Sequence, residues 1–129
     1  MSRLADRLLI ACAMIALPFA AEASPSLSVF LKGYYTDYQI VLDCLGKAHL
    51  TSADAETAKS AIAKIEAYYL HRDPSINKDR LQKEAVANKN QGFKMLDTTN
   101  KVDVGQYCRV SLNELVAKEQ EIEGSSAAK

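Results

Sequence analysis

Apolar positions recur at helical spacing along most of the chain, and no stretch alternates with the period of two that a half-buried strand requires. Leu27, Leu31, Tyr34, Tyr38, Val41 and Leu45 follow one another at steps of three and four, which places them on one face of a helix. Ser26 or Ser28 caps its start and Gly46 marks its end. The start signal Thr51-Ser52-Ala53-Asp54 opens a second helix whose stripe is Ala55, Ala58, Ile62, Ile65 and Tyr69. It stops at Asp73-Pro74, because the residue before proline is pushed out of the helical region.

Asn77 is an N-cap for a third helix, with Leu81, Ala85 and Met95 inside and Asp79 favourably placed in the first turn. Asn88, Asn90 and Gly92 interrupt its stripe. Asp103 caps a fourth helix, in which Val104, Cys108, Val110, Leu112, Leu115, Val116 and Ile122 supply apolar area. Short connections between four helices predict an all-α fold, an antiparallel up-down-up-down four-helix bundle.

The N-terminal pattern differs. Arg3 and Arg7 precede an unbroken apolar run from Leu8 to Leu17, then Pro18 and the small residues Ala21 and Ala23. That is a signal peptide over residues 1–23, with cleavage before Ser24. The run is shorter than the roughly 20 residues of a spanning helix, so no stable membrane insertion is expected after cleavage. Leu9-Ile10-Ala11-Cys12 has the local pattern of a lipoprotein signal, but only Leu8 to Ala11 precede the cysteine, and the apolar run continues beyond it. The expected product is a single helical domain over 24–123 with a small, polar, disordered tail over 124–129, located in the periplasm or secreted.

Export changes the reading of the cysteines. Cys44 and Cys108 remain in an oxidising compartment, where pairing is the default. Cys44 falls near the end of helix one and Cys108 near the start of helix four, so the antiparallel topology puts both at one end of the bundle. A disulfide and the bundle are mutually consistent.

Charge narrows the partners. Lys plus Arg and Asp plus Glu number 16 each, and the signal removes two of either sign. A balanced chain lacks the basic surface of a nucleic-acid binder or a polybasic membrane-surface protein. The expected partner is another envelope or secreted protein.

Chemistry narrows the function further. His49 and His71 fall at opposite ends of the bundle, roughly 25–30 Å apart at 1.5 Å per helical residue, so they share no metal ion. A disulfide takes both thiols, and no phosphate loop, haem-attachment pair or hydrolase motif is present. No cofactor, metal site or enzyme activity is expected. Asp37, Asp43 and Glu66 read as solvated positions, with Asp43 and Lys47 at the spacing of a surface helix pair.

One constellation stands out. Tyr34, Tyr35 and Tyr38 lie early in helix one, and Tyr68 and Tyr69 late in helix two, so the topology gathers them, with Phe30, at one end. Tyrosine is favoured in interfaces because it buries a large area at small entropic cost. Tyr34, Tyr38 and Tyr69 fall on the stripes; Tyr35 and Tyr68 lie off them and are the expected exposed contacts. Tyr107 lies at the other end, beside the disulfide. The expected function is non-enzymatic binding, with a periplasmic acid-stress chaperone as the alternative and an enzyme or metal-binding protein a distant third.

Overall fold

The computed structural model describes residues 26–99 and 103–127. The signal peptide expected over 1–23, including Cys12, lies outside the described residues. The described residues form four helices: α1 (Leu27–Gly46), α2 (Ser52–Arg72), α3 (Lys78–Thr99) and α4 (Val104–Ala127).

The helix starts follow the local chemistry. Thr51 and Asp54 form a reciprocal capping box: the Asp54 amide donates to Thr51 Oγ1 and the Thr51 amide donates to Asp54 Oδ2. The Arg80 amide donates to Asn77 Oδ1, and the Gly105 amide to Asp103 Oδ1. Ser26 occupies the N-cap of α1, although its hydroxyl meets Ser28 rather than a backbone amide. α2 ends at Arg72, ahead of Pro74.

The end of α1 is less conventional. His49 N–H donates to the Cys44 carbonyl and Ala48 N–H to the Leu45 carbonyl, the paired bonds that close a helix through a left-handed residue. Glycine usually fills that position, but here it is Ala48, with φ of 63°. Gly46 is still helical.

α1 is the central helix. It packs against each of the other three, and α2 packs on α4 as well. Lys32 pairs with Glu84 at 3.6 Å and Asp43 with Lys89 at 3.2 Å, so α1 and α3 run the same way. Asp54 with Arg109 at 3.4 Å and Lys64 with Glu119 at 3.3 Å do the same for α2 and α4. Alternate helices are therefore parallel, as an up-down-up-down bundle requires. Cys44 and Cys108 are joined, with their Cα atoms 5.9 Å apart. The core runs through Leu31, Val41, Ile65, Leu81, Ala85, Leu112 and Leu115 around that disulfide.

Several positions depart from the expectations set by the sequence. Tyr35 is buried at 3% exposure instead of standing outside, because α1 meets neighbours on several sides and its off-stripe positions are covered too. In α3 the inner face runs Leu81, Ala85, Lys89, Phe93 at steps of four, so Met95 is turned outward. Asp43 reaches across to Lys89, while Lys47 lies 3.8 Å above the Phe93 ring. α4 continues through Gly124 to Ala127, into the stretch assigned from sequence to the tail.

Candidate functional site

The tyrosines separate into two groups. Tyr34 stacks on Tyr69 with ring centroids 6.2 Å apart, and Tyr68 meets Tyr69 edge-on at 5.1 Å. α4 contributes Lys118, whose ammonium lies 5.6–6.0 Å from all three rings. Burial opposes that charge, but Tyr69, Tyr34 and Glu121 hold it above its ordinary pKa. Arg72 covers the other side of Tyr68 at 3.7 Å. Tyr68 is half-buried as a result.

Tyr35 and Tyr38 face elsewhere, into a groove of about 670 Å³ bounded by α1, α2 and α3. The Tyr35 hydroxyl donates to Glu66 Oε2 at 2.7 Å. Burial and that bond raise its pKa. Glu66 also pairs with Lys78 at 3.4 Å, so both groups are internally satisfied.

A second groove, of about 480 Å³, runs between α1 and α4. Val29, Phe30 and Val110 line it and remain 53%, 45% and 48% exposed. Tyr34 borders it too, and so joins it to the tyrosine cluster. Tyr107 lies on its other side, half-buried, edge-on to Phe93 at 5.7 Å. It passes so close to Gly92 that a Cβ there would meet its hydroxyl at 2.7 Å. Any larger residue at that point of α3 would have to displace the Tyr107 hydroxyl.

Asp37 sits on the wall of this groove. Burial, reinforced by the negative charge of Glu114, pushes its carboxyl up from 3.8 to about 7. Among the described residues, neither Asp37 nor Glu114 has a hydrogen bond or ion pair through its side chain. Among the described residues, no lysine, arginine or histidine lines the groove. Burial also raises Tyr107, with a smaller push from Asp37. Such a site can exchange a proton near neutral pH, and it presents negative charge on an apolar floor. The structure thus corrects the solvated position expected for Asp37. Its signal in the sequence was the spacing Phe30, Tyr34, Asp37, Ile40, which puts the carboxyl within an aromatic and aliphatic row.

A third groove, of about 690 Å³, lies between α2 and α4 beside Tyr68, His71 and Arg72. Its Lys64 is neutralised by Glu119 and Glu123. His49 belongs to the α1–α2 connection at the disulfide end, and His71 to the last turn of α2. Among the described residues no group of three or more metal-ligating side chains occurs, and no helix is long and apolar enough to cross a membrane. The chain matches no known family model, no curated protein and no solved structure.

Proposed function

We propose that this is a non-enzymatic, exported binding protein whose α1–α4 groove receives part of another envelope or secreted protein. The observation that carries the reading is the convergence of Val29, Phe30 and Val110, all large, apolar and exposed, on one groove. Single exposed apolar side chains are ordinary, whereas clustered ones mark interaction surfaces. Tyr34 extends this surface toward Tyr69 and the half-buried Tyr68.

The chaperone alternative draws less support from the same groove. Acid removes the Asp37 charge and so relieves its burial instead of disrupting the site. A dye that reports exposed apolar surface separates the two readings: a surge at low pH favours the chaperone, and a flat response favours the specific binder. The direct test places a photo-crosslinking side chain at Phe30 and irradiates the native envelope. One dominant adduct, lost when Val110→Glu is added, is the expected result. No adduct, or one indifferent to Val110→Glu, overturns the reading.

A further inference from the structure

We propose that the α1–α4 groove is a receptor for a cationic side chain, a lysine or arginine that the partner protein presents between apolar neighbours. This deepens the reading of the groove as the binding surface and rests on it.

Charge complementarity carries the argument. Most carboxylates near helix contacts are matched: Asp43 with Lys89, Asp54 with Arg109, Glu66 with Lys78, Glu84 with Lys32, Glu119 with Lys64. Asp37 and Glu114 share one groove and have no such match among the described residues, and no basic residue lines its walls. The cation one turn beyond Glu114, Lys118, is directed instead to the rings of Tyr34, Tyr68 and Tyr69 and to Glu121 at 3.3 Å. A partly buried carboxylate without a counter-ion is costly, and an incoming cation offsets that cost.

The walls suit the rest of such a side chain. Phe30 and Tyr34 bring aromatic rings to the groove wall, suited to a cation, and Val29 and Val110 bring apolar surface suited to a methylene stem. A groove of about 480 Å³ is within the size range of small-ligand sites. The titratable groups around Asp37 among the described residues are Glu114 and Tyr107 from α4 and Tyr34 from α1, with Tyr69 of α2 behind Tyr34 and the uncharged Gly92 and Phe93 of α3 against Tyr107. None of them supplies a positive charge. Occupancy by a cation therefore depends on Asp37 being ionised, and the groove holds its ligand more tightly at pH 8 than at pH 5.

Phenylbutylamine mimics the lysine side chain with an apolar body, and phenylbutanol is its uncharged counterpart. Each is titrated into the exported protein and followed by NMR shifts of the groove residues. At pH 8 the amine should bind about tenfold more tightly than the alcohol, and at pH 5 the preference should vanish, because the binding-competent fraction of Asp37 has fallen. Asp37→Asn should abolish the preference at pH 8 with alcohol binding unchanged, and Glu114→Gln should reduce it. Absence of amine binding, equal binding of the two probes, or a preference that survives Asp37→Asn overturns the proposal. An unchanged backbone spectrum verifies that each variant is folded, and Glu114→Gln decides the matter if Asp37→Asn does not fold. Failure here with a crosslink intact at Phe30 removes the cation and leaves the binding surface; loss of the crosslink removes the surface itself.

Discussion

Asp37 shows how one residue's surroundings set its chemistry. Its folded pKa is raised to about 7 from 3.8, so the fold favours the protonated form. The stabilising contribution is complete below about pH 4 and is lost as pH rises through 7. Asp37→Asn should therefore raise the thermal midpoint at pH 8 and leave it nearly unchanged at pH 4, which paired melting curves would test. Tyr35 makes the opposite point. It is buried and bonded to Glu66, so Tyr35→Ala should cost about 3–5 kcal/mol, as other buried aromatic truncations do. Tyr35→Phe should cost about 1 kcal/mol for the lost hydrogen bond. Near-zero changes in denaturant midpoint for Tyr35→Ala would place this ring outside the core.

At the scale of elements, two details depart from expected rules. Ala48 closes α1 in a left-handed conformation that suits glycine better. Ala48→Gly should stabilise the protein by up to about 1 kcal/mol, and a lower midpoint would show that the alanine methyl is needed. Lys89 takes an inner-face position of α3 and is matched by Asp43. Removing one partner of such a pair costs more than replacing the buried charge with an apolar group. Asp43→Ala should destabilise the fold, while Lys89→Met should be neutral or stabilising. Equal losses in chemical denaturation would contradict this account of the α1–α3 contact.

At the scale of the whole molecule, the disulfide ties the central helix to α4 across 64 positions. The chain-entropy relation assigns such a loop about 4 kcal/mol, most of it through the unfolded state. That is a large share of a small domain's stability. Cys44→Ser with Cys108→Ser should lower the denaturation midpoint steeply, and an unchanged midpoint would exclude a structural role.

Much of this architecture was legible in the residues. The four helices, the caps at Thr51, Asn77 and Asp103, the Pro74 stop and the Cys44–Cys108 bond follow from local periodicity, hydrogen-bonding side chains and the placement of two cysteines at one end of the bundle. These signals act within a few residues or depend on composition, so a linear sequence contains them. Which side of each helix is covered does not. A stripe gives one buried face, but α1 is covered on several, and this is why Tyr35 turned inward, Tyr34, Tyr68 and Tyr69 closed around Lys118, and Asp43 found Lys89. The groove that raises Asp37 exists only where α1 and α4 leave Val29, Phe30 and Val110 uncovered. Desolvation depends on what every neighbouring helix excludes from water, so the tertiary packing alone decided that this carboxyl and not another would be perturbed.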